Sequence, residues 1–190
     1  MDKQDPYKNL SPEINQLHSS AFQSHFDSLY NYGLRITKDG ELVKDCIQEL
    51  FFRMWKNNID FTSVINQKPY LLKGLRRQIL NILELKYNQM DRVNIEENLS
   101  IEFSVEDCYI QNQYEEELRH KVLKALNNLP KKQREAIYLR YFENLGYEEI
   151  AEIMNINIQS SKNNVQRGLE SLRELLSTTL IIYLIRILSH

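Results

Sequence analysis

Cysteine is nearly absent from this 190-residue chain. Cys46 and Cys108 stand far apart, so neither a disulfide framework nor a zinc cluster can be built, and a reducing cytosol is the expected compartment. Cys46 lies in an apolar helical stripe and reads as a small buried hydrophobe rather than a reactive thiol. Glycine is also scarce. Gly33, Gly40, Gly74, Gly146 and Gly168 are scattered, so no phosphate-cradling loop forms. His18, His25, His120 and His190 lack metal-ligand spacing, and no metal or cofactor is expected. With no nucleophile setting visible, an enzyme is the least favoured class. The longest apolar run, Leu180 to Leu188, is broken by Arg186 and has about half the length a bilayer span needs. The opening MDKQDPYKNLSPEINQ has no apolar centre, and no signal peptide is expected there.

Charge of one sign is missing too. The 24 basic and 26 acidic residues leave a net −2, whereas nucleic-acid-binding domains usually carry a basic excess. The total hides a pattern. Residues 84–117 hold ten acidic and two basic residues. The rest is +2 over 1–83, +5 over 118–146 and −1 over 147–190. The acidity is concentrated in one aperiodic stretch, DRVNIEENLSIEFSVED, which reads as a linker. The expected plan is an N-terminal tail (1–14), a first module (15–90), an acidic flexible linker (91–114), a second module (115–176) and an apolar C-terminal extension (177–190).

What is present is almost entirely helical, so the expected fold is all-α, two small helical domains. Phe22, Phe26, Leu29, Tyr30 and Leu34 make one stripe. After a Lys38-Asp39-Gly40 turn with Asp39 as N-cap, a second stripe runs through Leu42, Val43, Cys46, Ile47, Leu50, Phe51, Met54 and Trp55. The polar stretch 57–68 reads as a loop, and Pro69 opens a helix with Leu72, Leu75, Ile79 and Ile82 on one side. Lys73, Arg76 and Arg77 fall on its other side. Leu118, Val122, Ala125, Leu126 and Leu129 begin the second module, and Pro130 starts its next helix.

The segment LGYEEIAEIMNINIQSSKNNVQRGLESL, from Leu145, carries the clearest chemistry. Ile150, Ala151 and Met154 stripe a short helix, with small Ala151 where a second helix must cross closely. Asn155-Ile156-Asn157 breaks the helix and Ile156 plugs the corner. A longer helix follows, with Val165, Leu169 and Leu172 inward. This is a helix-turn-helix pattern, whose second helix can enter a major groove. Its outward residues, Gln159, Ser160, Lys162, Asn163, Gln166 and Arg167, are of the types that contact base edges and phosphates. The alternative is a plain helical hairpin with a solvated polar face.

LPKKQREAIYLRYFENLGYEEIAEIM, Leu129 to Met154, resembles the promoter-binding region 4 of bacterial sigma factors, with the small extracytoplasmic-function (ECF) group fitting best. The wording of the last helix is similar to that of Bacteroidetes-like members. Independently, DCIQELFFRMW, Asp45 to Trp55, resembles the core-polymerase-binding helix of region 2, and KPYLLKGLRRQILNIL the helix after it. The resemblance covers roughly residues 15–175. It implies a cytoplasmic, non-enzymatic initiation subunit whose partners are core RNA polymerase and promoter DNA, with an anti-sigma factor or another recruiting protein as a further possible partner.

By that resemblance Asp45, Gln48, Glu49 and Arg53 would meet the polymerase clamp helices, with Phe51 and Trp55 shared between core and contact. Asn58, Phe61 and Asn66 would sit near the melted minus-ten element, where single-stranded bases are held by pockets and stacking. Lys73, Arg76 and Arg77 would line the DNA path, against the alternative of an ordinary solvated face. Gln159, Ser160, Lys162, Asn163, Gln166 and Arg167 would face the minus-thirty-five element. The chain departs from the family at Gly146 (usually Ser or Thr), Ser161 (usually apolar), Asn163 and Asn164 (one often basic) and Glu84 (often Arg). Each change reduces positive charge or packing near DNA. Two other readings stay open: a sigma-derived adaptor brought to DNA by another protein, and a stand-alone helix-turn-helix regulator. The apolar extension is expected to pack back or bind a protein.

Overall fold

The structure, a computed structural model, describes residues 12–57, 66–87, 101–104, 113–176 and 181. Asn58, Phe61, Cys108, most of the linker, residues 1–11 and the extension apart from Ile181 lie outside the described residues. Among the described residues there are seven helices and no strand: α1 (Pro12–Thr37), α2 (Gly40–Lys56), α3 (Gln67–Tyr87), α4 (Gln113–Asn128), α5 (Lys131–Tyr141), α6 (Tyr147–Met154) and α7 (Ile158–Leu175). None is long and apolar enough to cross a membrane.

Helices α1, α2 and α3 pack on one another as the first module. The Asp39 side chain accepts a hydrogen bond from the Leu42 N–H (3.1 Å), satisfying a donor that the first turn of α2 leaves open. From there Val43, Cys46, Ile47, Leu50, Phe51, Met54 and Trp55 turn inward at spacings of three and four. Val43, Cys46, Ile47, Leu50, Phe51 and Met54 meet Leu29, Leu71, Leu72, Leu75 and Ile79 in the core. Each such aliphatic side chain contributes about 1.5–3 kcal/mol by leaving water. Gly33 lets α1 cross α2 closely: a Cβ there would lie 2.5 Å from Val43 Cγ1.

The second module is α4 to α7. Ile137 and Leu139 of α5, Ile150 of α6, and Val165 and Leu172 of α7 close over Leu126 and Leu129. The described stretch of the linker, 101–104, packs on this module. Ile101 and Phe103 are buried. The Asn127 side chain holds Phe103 by both backbone groups, accepting from its N–H (2.9 Å) and donating to its carbonyl (3.0 Å). Arg134, itself buried, donates to the carbonyls of Ile101 (2.9 Å) and Leu129 (2.8 Å). Ile181, the described residue of the extension, also packs against the core.

Candidate polymerase and nucleic-acid interfaces

The outward side of α2 is a continuous row. Asp45, Gln48, Glu49, Phe52, Arg53 and Lys56 are exposed, again at spacings of three and four. Phe52 is 39% exposed, a large aromatic in the middle of charged and amide groups. Its ring lies 5.9 Å from that of Trp55. Phe51 and Trp55 themselves are buried, Phe51 edge-on to Phe22 at 5.2 Å. Arg53 lies 3.4 Å from the Glu49 carboxylate and donates to the Gln78 side chain on α3. Phe52 did not emerge from the sequence pattern. The signal for it is the series 45, 48, 49, 52, 53, 56, which runs beside the apolar stripe.

The helix-turn-helix is built from α6 and α7. Gly146 caps α6 without a side chain, and half of a capping box remains: its N–H donates to Glu149 Oε2 at 2.6 Å. Asn155 takes the left-handed conformation (φ 54°) that ends α6. The Ile156 N–H returns to the Ala151 carbonyl (2.9 Å) and the Asn155 N–H to that of Glu152 (3.4 Å), a Schellman ending. Asn157 then caps α7, its side chain accepting from the Ser160 N–H at 2.7 Å. Ser161 is fully buried at the crossing, and its hydroxyl lies 2.8 Å from the Tyr147 carbonyl and 2.9 Å from that of Ile158. The polar residue at this interface is therefore satisfied and ties α7 to the start of α6.

Gln159, Lys162, Gln166 and Arg167 are exposed on α7, with Ser160 and Asn163 half-buried beside them. The Gln159 amide donates to Asn163 Oδ1 (2.9 Å) and the Gln166 amide to Glu170 Oε1 (2.9 Å), which steadies the row. The Lys162 ammonium lies 5.9 Å from the centre of the Tyr147 ring.

The α3 residues are placed differently. Arg77 is exposed, in a groove with Arg53, Asn57, Tyr70, Gln78 and Asn81. Lys73 lies 3.5 Å from Glu152 of α6. Arg76 is only 6% exposed, and its guanidinium donates to Glu135 Oε1 on α5 at 2.9 Å. The Tyr32 hydroxyl of α1 donates to the same oxygen (2.7 Å). Burial, then the Glu135 charge, hold the Tyr32 phenol well above its ordinary value, with Arg76 opposing. Nearby, buried Glu143 accepts from Ser28 (2.6 Å), Lys68 (2.7 Å) and Tyr138 (2.7 Å). Burial likewise pushes the Tyr138 phenol up. Asn66 donates to Glu149 (3.0 Å), and Lys38 of the first module pairs with Glu102 of the linker (2.7 Å). The two modules thus meet along a seam where cations and hydroxyls of α1 and α3 face carboxylates of α5, α6 and the turn between them, beside the stacked rings of Tyr32 and Tyr138 at 6.0 Å.

Residues 21–86 match the family described as Sigma-70 region 2, and residues 119–172 match Sigma-70, region 4. Two modules of this kind in this order place the chain in the sigma-70 family: it is an RNA polymerase sigma factor. Its curated relatives are ECF sigma factors. It is 26% identical to SigM of Bacillus subtilis over 81% of this chain and 91% of that one. It is 28% identical to SigW of the same organism over 78% and 82%, and 22% identical to SigK of Mycolicibacterium vanbaalenii over 88% and 87%. Its fold is like that of the sigma factor RpoE from Bartonella quintana, solved with the anti-sigma factor NepR. There the TM-score is 0.56 at 24% identity, covering 88% of this chain and 99% of that one.

Proposed function

We propose that the exposed row of α2 is the polymerase-docking face and the exposed row of α7 the promoter-reading face. The observation that carries this is Phe52, an aromatic standing in the open between Gln48, Glu49 and Arg53. Aromatic and Arg side chains are the usual anchors of protein contacts. Asp45, Gln48, Glu49, Phe52 and Arg53 would lie against the clamp helices of core polymerase, with Phe51 and Trp55 shaping that face from beneath. Gln159, Ser160, Lys162, Asn163, Gln166 and Arg167 would enter the major groove of the minus-thirty-five element. Asn66, Lys73, Arg76 and Arg77, with Asn58 and Phe61, would serve the DNA path near the minus-ten element. The chain would act in the cytoplasm, as a member of the Bacteroidetes-like ECF type, with an anti-sigma factor as a further partner.

Co-purification with core polymerase tests the docking face. The intact chain is expected to form the complex, and Gln48→Ala with Glu49→Ala, or Phe52→Ala, to weaken it. Undiminished binding by both variants would refute the assignment. On the DNA side, Arg167→Ala should lower the magnitude of the log–log salt slope by about 0.9, one phosphate contact, without changing the melting temperature. An adaptor reading is favoured by one observation, the engagement of Arg76 and Lys73 by acids of the same chain. Transcription that needs an added DNA-bound recruiter would select it.

A further inference from the structure

Ile158 opens α7 and is 44% exposed, a large apolar side chain at the start of an otherwise polar row. Ile156, two residues earlier, packs against the core, whereas the Ile158 side chain stands clear of it. Helix formation does not call for Ile here, since a β-branched residue is a poorer helix former than Ala or Leu. Its neighbours are the residues assigned to promoter reading. Ile158, Lys162 and Gln166 stand four residues apart, so they share one ridge of the helix, and all three are exposed. Gln159, exposed beside Ile158, is tied to Asn163 at 2.9 Å.

The backbone under Ile158 is fixed. The Asn157 side chain accepts from the Ser160 N–H at 2.7 Å, and the Ser161 hydroxyl lies 2.9 Å from the Ile158 carbonyl. A β-branched side chain in a helix has one strongly preferred rotamer. Ile158 is thus a rigid apolar knob at the N-terminal end of the reading helix. That end is the part of a recognition helix that meets base edges, so a side chain as short as Ile can reach them. The major-groove edges are a pattern of donors and acceptors with one apolar group, the 5-methyl of thymine. Ile offers neither donor nor acceptor. Against the amino group of cytosine it would strip water from a polar edge and replace it with nothing.

We infer that Ile158 is a specificity-determining residue that reads the 5-methyl group of a pyrimidine in the minus-thirty-five element. This rests on the assignment of α7 as the promoter-reading face. Burying that methyl against Ile158 is worth about 4-fold in affinity, the transfer value of one buried carbon. Thymine always carries the group and cytosine only when methylated, so both serve as probes.

The test first selects, from a random-sequence duplex library, DNA that the full-length chain binds. Each thymine of the selected duplex is then replaced in turn by deoxyuridine, which removes only the methyl. One replacement is expected to weaken binding about 4-fold. Ile158→Ala should lose about as much on the parent duplex and become indifferent to that replacement, while Ile158→Val keeps part of the sensitivity. Cytosine at the same position should bind weakly, and 5-methylcytosine should recover about 4-fold. Binding by the parent chain that is unchanged by every deoxyuridine would overturn the inference, as would an Ile158→Ala chain that keeps the full sensitivity. So would 5-methylcytosine binding no better than cytosine, which would assign the readout to the thymine O4. Ile158 lies outside the core, so Ile158→Ala should keep the parent melting temperature, and its loss of affinity is then a loss of contact. Arg167→Ala separates this inference from the reading it rests on. If that change weakens the selected duplexes and no methyl matters, the methyl readout alone fails. If it leaves them unaffected, α7 is not the reading face and the inference falls with it.

Discussion

Leu75 sits at the centre of the first module, and its neighbour in sequence, Arg76, sits in the seam; Ile137 and Glu135 repeat the contrast across the gap. Hydrocarbon fills the module interiors and reaches across the seam, where the Tyr32 and Tyr138 rings stack at 6.0 Å, but among the described residues three of the five buried polar side chains, Arg76, Glu135 and Glu143, lie in the seam. The difference is thermodynamic. Apolar surface gains only by staying out of water, whereas an ion pair exchanges one set of good partners for another when it opens. The interiors therefore rest on the hydrophobic effect, whereas the seam adds buried ion pairs and hydrogen bonds to its aromatic contact.

The contrast can be broken in several places. Ile137→Ala, in the interior, should cost about 2–5 kcal/mol, read as a lower urea midpoint. Glu135→Ala probes the seam. Removing Glu135 takes from buried Arg76 and from the Tyr32 hydroxyl the carboxylate they share, and should cost about 3–5 kcal/mol. A loss below about 1 kcal/mol, the size expected of an exposed pair, would contradict the burial of this group.

Alkali offers a third probe. Tyr32 and Tyr138 keep their protons in the folded chain well above the ordinary phenol value of 10.0. Unfolded chains release those protons from about pH 10 upward. The stability they contribute is complete below pH 10 and is lost as pH rises beyond it, by at most about 1.4 kcal/mol per pH unit per group. Unfolding followed from pH 9 to 11.5 should show this decline, and Tyr32→Phe should make it shallower. The smallest effect is at the cap of α6. Gly146→Ser restores a capping oxygen, and a Cβ there is in ordinary contact, 3.4 Å from Glu149 Oε2. A gain of a few tenths of a kcal/mol in thermal unfolding is expected.

Much of this was legible in the chain because it is local. The helix-turn-helix could be read from the Asn155-Ile156-Asn157 break, since the left-handed residue and the next N-cap both fall within it. The inward stripe of α2 followed from its spacing. Other features were hidden for physical reasons. Phe52 lies on the polar side of a helix whose apolar side drew the reading. Ile101 and Phe103 alternate too briefly to announce themselves, and what fixes them is Arg134, 33 residues from Ile101, and Asn127, 24 residues from Phe103. The Ser161 hydroxyl looked like a packing fault until the Tyr147 carbonyl stood opposite it. Arg76 read as a DNA contact because Glu135, 59 residues away, is invisible to any local pattern. The linker's acidity was plain from the start, yet the acids that close the seam on α3 are Glu135, Glu143 and Glu152 of the basic-to-neutral module.

Transcription by purified core polymerase on genomic DNA, with the full chain added, is the most direct measurement. A sigma factor docked through α2 and reading DNA through α7 produces discrete new start sites. These share two upstream elements and disappear with Gln48→Ala and Glu49→Ala. Start sites no different from those of core polymerase alone would contradict it.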